Sequence, residues 1–163
     1  MFVARLVAVV LTARAAFAGD MPDPRLTPGG VASTDRAEVC ESDGLPGSAY
    51  SRAHREMNQR ARRADFARYG ILWSDRGRYE DDHLVPLCLG GADVETNRWP
   101  EPRTGVWNSY AKDDLEGYAC KMVCAGRIGL AEAQSWFLAP ADWRDAYRRI
   151  FGVTLTPRSF GGR

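Results

Sequence analysis

The chain of 163 residues is 45% hydrophobic and 26% charged, a composition typical of a globular protein. This length is enough for one domain with its own hydrophobic core. The formal net charge of +1 is nearly neutral, so the overall charge gives no argument for a nucleic-acid partner. The sequence contains neither an internal repeat nor a low-complexity domain.

The first eighteen residues have the pattern of a secretory signal peptide. Arg5 precedes an apolar centre, and the sequence AFA precedes Gly19, which predicts cleavage after Ala18. A short membrane anchor is the alternative, but the apolar run is too short to span a bilayer. We therefore expect a secreted or periplasmic protein without membrane association after cleavage. Its net charge would be about −1, because residues 1–18 contain two arginines and no acid.

Two segments of different character come next. Residues 19–37 begin with a stretch rich in proline, glycine and polar residues, which predicts a flexible N-terminal segment. Residues 50–69 predict a single helix that ends at Gly70. This helix carries six arginines against Glu56 and Asp65, and such a stripe could lie along a phosphate backbone. A solvated helix face explains the same arginines, and both interpretations stay open.

The centre of the chain predicts a hairpin. Residues 79–89 have the pattern of an extended segment, and the pair Gly90-Gly91 predicts a turn after it. Two prolines exclude a helix from residues 97–107. We therefore expect a small antiparallel element that packs on helices, which is the α+β fold class.

The rest of the chain predicts helices. Apolar residues at helical spacing indicate a helix from Asn108 to Cys124 that ends at Gly126. Two more are expected over 130–138 and 142–151, the second with an aspartate as its N-cap. Residues 153–163 predict a loose tail, so the folded domain is expected to cover residues 38–152.

Four cysteines on an exported chain predict disulfide bonds. They are Cys40, Cys88, Cys120 and Cys124. The last two lie four positions apart on one face of a predicted helix, where they are poorly placed to bond to each other. Each is expected to pair with Cys40 or Cys88, and both pairings stay open. A zinc site is the weaker alternative, because there is no CxxC motif and the two histidines are poorly placed to complete a site.

The segment YEDDHLVPLCLGG, residues 79–91, contains the residues best suited to chemistry. His83 follows three acids, and a histidine beside a carboxylate can act as a general base near neutral pH. Asp82 could bind a hard cation such as Mg²⁺. Glu80 or Asp81 could place negative electrostatic potential at the histidine. Neighbours in a strand point to opposite faces, so Asp82 and His83 meet only where the strand ends or bends. A surface acid cluster with a structural histidine is the alternative.

More residues follow this segment in order: ETNRWPEP, then WNSYAKDDLE, then VC. The ordered set resembles the HNH, or His-Me finger, endonucleases. The most similar group is small bacterial and phage proteins with the pattern D-H-L-x-P-L-x-L-G-G, N-x-W-P and K-D-x-x-E. The resemblance covers residues 38 to 151. It implies a ββα-metal core with flanking helices and a metal-dependent endonuclease activity.

The resemblance also implies a role for each matching residue. His83 corresponds to the general base that activates the attacking water, and Asp82 to the carboxylate that ligates the metal. Asn97 corresponds to the asparagine that holds the loop between the strands and orients the histidine. Asn108 is expected as the second metal ligand, at a position where the letters H-N-H would have histidine. Its alternative role is the N-cap of the following helix.

Two residues of that helix are expected near the metal or the substrate. Glu116 could support the water shell of the metal, or it could be an exposed helix acid. Lys112 could contact the scissile phosphate, or it could form an i, i+4 pair with Glu116. The expected function is hydrolysis of phosphodiester bonds in nucleic acid, with DNA as the expected substrate and a single divalent ion, Mg²⁺ or else Mn²⁺, as cofactor. The alternative is a catalytically inactive ββα module that binds nucleic acid or is purely structural.

Overall fold

The computed structural model describes residues 19–40 and 48–152. The predicted signal peptide and C-terminal tail lie outside these residues. The described helices and strands are, in chain order, α1 (Arg36–Cys40), α2 (Ser48–Ala53), α3 (Gln59–Arg68), β1 (Tyr79–His83), β2 (Arg98–Pro102), α4 (Ser109–Cys124), α5 (Leu130–Ser135) and α6 (Trp143–Phe151). Short 3₁₀ turns cover Trp73–Arg78, Leu87–Leu89 and Glu95–Asn97. Within the described ranges, no helix combines the length and apolar character that crossing a bilayer requires.

The strands β1 and β2 pair in antiparallel fashion as a two-stranded sheet, which confirms the predicted α+β class. In the register, Asp82 is opposite Trp99 and His83 is opposite Arg98. Opposed residues share a face and successive residues alternate between faces, so Asp82 and His83 belong to different faces. Helix α4 reaches the Asp82 face through Lys112, and α3 reaches the other face through a bond between Asp65 and Arg98.

The hydrophobic core is built around α4. Leu115, Ala119 and Val123 are fully buried and recur at helical spacing along it. Phe137 and Trp143, which come from the chain after α4, are fully buried in the same cluster. Burial of a large apolar side chain contributes about 1.5–3 kcal/mol, so this helix is the centre of the hydrophobic core.

The ends of the later helices agree with their predicted caps. The side chain of Asn108 accepts the N–H of Ala111 (3.2 Å) at the start of α4. Asp142 accepts the N–H of Arg144 (2.9 Å) at the start of α6. Helix α5 is shorter than the predicted 130–138, because it ends at Ser135.

Two disulfides fix α4 to other parts of the chain. Cys40 at the end of α1 is bonded to Cys124, and Cys88 in the turn after β1 is bonded to Cys120. The prediction that each cysteine of the helix pairs with one of the two distant cysteines is confirmed. The second bond holds the chain just beyond β1 against the helix that faces Asp82.

The predicted single helix over 50–69 is wrong in its middle. Helix α2 ends at Ala53, and α3 begins only after Asn58, whose side chain accepts the N–H of Arg60 at 2.9 Å. In the interruption, the N–H groups of Glu56 and Met57 donate to the carboxylate of Asp93. A distant acid therefore binds backbone donors that would otherwise continue a helix, and nothing in the local sequence predicts this interruption.

The predicted extended segment over 79–89 and the predicted flexible segment over 19–37 also differ from the structure. The strand stops at His83, because the side chain of Asn97 binds both the N–H and the C=O of Val85. The same side chain accepts the N–H of Gly30 (3.0 Å), and Thr27 is fully buried. Residues near 27–33 are thus packed on the hairpin, although their composition is that of a loose segment.

Candidate active site

His83 forms a buried pair with Asp93. Its Nε2 lies 2.9 Å from Oδ1 of Asp93, and the residue is only 1% exposed. Burial lowers the pKa of His83 below its ordinary value, more than the carboxylates of Asp93 and Asp82 raise it. A carboxylate accepts only, so Nε2 carries the proton and Nδ1 is the basic nitrogen. His83 is therefore a neutral base that the carboxylate of Asp93 holds in one tautomer.

Asp93 was not predicted, although it is the acid that contacts the histidine in place of Glu80 or Asp81. Arg98 donates to its Oδ1 at 2.6 Å, and Met57 N–H donates to its Oδ2 at 2.8 Å. Burial raises the pKa of Asp93, but the hydrogen bonds from His83, Arg98 and the N–H of Glu56 lower it to about 2. Asp93 is thus ionised throughout the neutral range. The only local signal was its position two residues after the glycine turn.

Glu80 and Asp81 have other partners. Glu80 lies 3.3 Å from Nη1 of Arg103. Asp81 has a fully buried side chain with no hydrogen-bond partner on either oxygen, and Nε of Arg62 lies 4.0 Å away. Burial, together with the nearby negative charge of Asp65, raises the pKa of Asp81 to about 7.

Asn97 is fully buried and its side chain is saturated with backbone bonds. Its oxygen accepts the N–H of Val85 (2.9 Å) and of Gly30 (3.0 Å), and its nitrogen donates to the C=O of Val85 and of Ala92 (2.8 Å). These bonds hold the segment between the strands directly after His83 and before Asp93. The geometry agrees with the loop-holding part of its predicted role.

On the other face of the sheet, the ammonium of Lys112 lies among three carboxylates. The lysine is fully buried, and its Nζ donates to Oδ2 of Asp82 (2.6 Å), to Glu116 and to the backbone oxygen of His83 (2.7 Å). Glu101 Oε2 lies 4.0 Å away. Lys112 thus forms the i, i+4 pair with Glu116 that was one of its two predicted roles, and Asp82 shares the ammonium. Glu116 is not the exposed helix acid of its alternative prediction, because its side chain is only 18% exposed.

Glu101 is a second residue that sequence reasoning missed. It is 1% exposed, neither of its oxygens has a hydrogen-bond partner, and burial raises its pKa well above the ordinary value. Burial also raises the pKa of Glu116, to about 8, whereas the ammonium of Lys112 outweighs burial and lowers the pKa of Asp82. One ammonium lies among three acids, so it holds the pKa of Asp82 low while burial keeps the pKa values of both glutamates raised.

Asn108 is placed as a helix cap. Besides accepting the N–H of Ala111, its side-chain nitrogen donates to the backbone oxygen of Gly105 at 2.9 Å. The structure therefore brings Asp82, Lys112 and Glu116 together, and it joins His83 to Asp93. The contacts described for Asn108 belong to the start of α4.

The donor types around Asp82 fit a hard cation, since carboxylate oxygens are preferred by Mg²⁺. The two unpartnered oxygens of buried Glu101 point to the same conclusion. Within the residues that the structure describes, however, no group of three or more histidine, cysteine or acidic residues has the geometry to hold a metal. The ammonium of Lys112 lies where these acids converge, so an ion could be held there only in its place.

Comparisons of the chain with models of protein families, with curated protein sequences and with solved structures found no match.

Proposed function

We propose that this protein is a metal-dependent endonuclease that hydrolyses phosphodiester bonds of nucleic acid, with DNA as the expected substrate. The observation that carries the proposal is the buried pair of His83 and Asp93. His83 is the last residue of β1, and Asp82, the residue before it in the strand, belongs to an acid cluster. The order β1, β2, α4 supports a ββα core of the kind that the sequence motif implies. The two disulfides and the predicted signal peptide support export.

The base chemistry follows from the tautomer of His83. Nδ1 takes the proton of the attacking water, while Nε2–H stays bonded to Asp93. The negative charge of Asp93 stabilises the imidazolium that forms, and Arg98 holds that carboxylate in place. Asn97 fixes the chain on both sides of the pair, so the ring keeps one orientation. Asp93 acts through the histidine and is a positioning residue.

A divalent ion, when bound, supplies Lewis acidity at the phosphate and a water that protonates the leaving oxygen. Asp82 would hold it, together with Glu116 once Lys112 has moved from between the two carboxylates. Asn108 would join this set if its oxygen turned from the helix N–H. Lys112, displaced from Asp82, would then carry its positive charge toward the phosphate.

A binding or structural module without catalysis is the second candidate, and two observations favour it. The imidazole of His83 is almost fully buried, and the ammonium of Lys112 already neutralises Asp82. A site of this kind would keep the ββα scaffold but would neither bind an ion nor activate water.

Plasmid cleavage separates the two candidates. The oxidised protein without its signal peptide is incubated with supercoiled DNA and Mg²⁺, Mn²⁺ or EDTA, beside His83→Ala and His54→Ala. His54 is the matched control because it is the only other histidine and is exposed. We expect metal-dependent nicking that falls about 100- to 10,000-fold in His83→Ala and is unchanged in His54→Ala. Equal activity of wild type and His83→Ala would refute the base assignment, and silence on DNA and RNA with every metal would favour the binding module.

Asp93→Asn tests the positioning role. The variant keeps an acceptor for Nε2–H but lacks the charge that raises the pKa of His83. We expect a lower kcat and an acidic limb of the pH–rate profile that moves to lower pH. A purely structural role would lower activity without moving that limb.

A further inference from the structure

A cleft of about 670 Å³ lies on the face of the sheet that carries His83. It is formed by the start of α3, the turn that precedes β1, and the residue that follows β2. The side chains that decide its chemistry are Arg62, Arg76 and Arg103, with Trp73, Tyr79 and Asn58. No carboxylate is among the described residues that line it, so three guanidinium groups form its wall. Arg103 is paired with Glu80 (3.3 Å) and Arg62 lies 4.0 Å from Asp81, both outside the lining.

The guanidinium groups of the cleft are held in position. Arg76 donates to the backbone oxygen of Trp73 (3.0 Å) and lies 5.2 Å from the centre of the Trp73 ring. Arg103 donates to the backbone oxygen of Tyr79 (3.0 Å). Planar, oriented guanidinium groups match phosphate oxygens better than flexible ammonium groups do. The chain has only two lysines, and neither lines this cleft.

Trp73 gives the cleft an aromatic surface. It is half-buried, and the edge-to-face contact with buried Phe66, 5.5 Å between ring centres, fixes its orientation. Arg63 also lies 4.9 Å from its ring centre. Aromatic and guanidinium planes side by side are the surfaces on which unpaired bases stack, whereas a duplex hides the faces of its bases. This combination favours a single strand over a duplex.

The cleft is connected to the candidate active site along β1 and through the break between α2 and α3. Tyr79 lines the cleft and lies on the same face as His83, four residues or about 13 Å along the strand. Met57 lines the cleft too, and its N–H donates to Asp93, the partner of His83. A single-stranded nucleic acid with one phosphate at His83 would place its next nucleotides along this face of the sheet.

We infer that this cleft binds an unpaired segment of the nucleic-acid substrate, with its phosphates on the three arginines and a base against Trp73. The inference rests on the proposed function for the identity of the ligand and adds the substrate form: a single strand, or the opened part of a duplex. Of the arginines in the predicted arginine helix, it assigns a binding role to Arg62, in place of a merely solvated face.

Binding without cleavage tests the inference independently of catalysis. The affinity of the oxidised protein for a labelled single-stranded oligonucleotide is measured by fluorescence anisotropy in EDTA at several salt concentrations. The variants are Arg76→Gln and Trp73→Leu, with Arg149→Gln, an exposed arginine outside the cleft, as the matched control. We expect about 5- to 150-fold weaker binding for Trp73→Leu. Arg76→Gln should lower the salt slope by about one, and Arg149→Gln should bind as wild type does.

Several outcomes would overturn the inference. Arg76→Gln binding with the affinity and salt slope of wild type would do so, and this exposed residue can be changed without affecting the core. Equal affinity for a hairpin duplex of the same sequence would remove the unpaired-strand assignment. Strong binding that depends on the cleft, without any cleavage, would support the inference and defeat the endonuclease proposal. Cleavage with unchanged KM in both cleft variants would support the endonuclease proposal and overturn the inference about the cleft.

Discussion

Replacement of Lys112 by methionine tests the account of the acid cluster. Methionine keeps most of the volume of the buried stem but removes the ammonium that bonds Asp82 and Glu116. Leaving a buried charge without its partner costs about 3–5 kcal/mol. Because the pKa of Glu116 is raised to about 8 and burial raises that of Glu101, whereas that of Asp82 is lowered, Asp82 is the main unpaired charge at pH 7. We therefore expect a loss near the lower end, about 3 kcal/mol at pH 7.

The loss should depend on pH with a definite sign. Without the ammonium, the pKa of Asp82 rises, so the folded variant binds a proton that the unfolded chain has released. Stability of the variant then falls as pH increases. At pH 5 the loss is smaller because Asp82 takes up that proton. At pH 9 it is larger, because in wild type Glu116 ionises beside the ammonium, whereas in the variant the pKa of Glu116 is higher still and the folded state keeps that proton.

Divalent ions connect this prediction to the proposed function. If Asp82 and Glu116 can hold Mg²⁺ or Mn²⁺, the variant lacks the ammonium that competes with the ion. The ion should then stabilise Lys112→Met more than wild type. At one hundred times its dissociation constant for the ion, the variant should gain about 2.7 kcal/mol, and wild type should gain less.

Urea unfolding with the disulfides intact measures all three effects, at pH 5, 7 and 9, with EDTA or with Mn²⁺. The matched control is Lys121→Met, since Lys121 is the only other lysine and is exposed on the same helix. It should change stability by less than about 0.5 kcal/mol. Unchanged stability of Lys112→Met at pH 7 would refute the account of the cluster, and equal stabilisation of both proteins by Mn²⁺ would refute displacement of the ammonium by the ion.

Two further predictions concern buried polar groups. In Asp81→Asn, the group whose folded pKa is raised from 3.8 to about 7 is gone; wild type binds that proton more tightly when folded, so thermal or urea unfolding should show it losing up to about 4 kcal/mol relative to the variant between pH 3 and pH 8, and parallel pH profiles would contradict this. Asn97→Ala leaves four backbone groups without their partner, two of them buried and two part-buried. Urea unfolding should therefore show a loss of about 3 kcal/mol, and a loss below about 1 kcal/mol would contradict this account.

The helices after residue 108 could be predicted because their signals are local. The apolar spacing of α4, and the capping residues Asn108 and Asp142, lie within the segments that they define. The cysteine prediction succeeded for a similar reason. Two cysteines one turn apart on a helix are poorly placed to bond to each other, so each pairs with a distant cysteine. Local rules are sufficient when the determining residues lie within one element.

The break in the arginine helix and the partner of His83 could not be predicted because one distant residue determines both. Asp93 binds the N–H groups of Glu56 and Met57, about forty positions earlier, and also the imidazole. Glu101 was missed for a related reason. Nothing in the sequence RWPEP marks this acid as buried, and only the register of the hairpin turns it toward Lys112.

The opposite placement of Asp82 and His83 explains why the candidate site lies at the end of a strand. In the middle of a sheet, two neighbours on opposite faces cannot act on one phosphate, but His83 is the last residue of β1 and its own backbone oxygen bonds the same ammonium as Asp82. A phosphodiester at this end can therefore meet the base from the α3 side and the acid cluster from the α4 side. The basic cleft also lies on the α3 side. The nucleic-acid strand should therefore approach from the side of His83, and the ion should enter from the opposite face of the sheet.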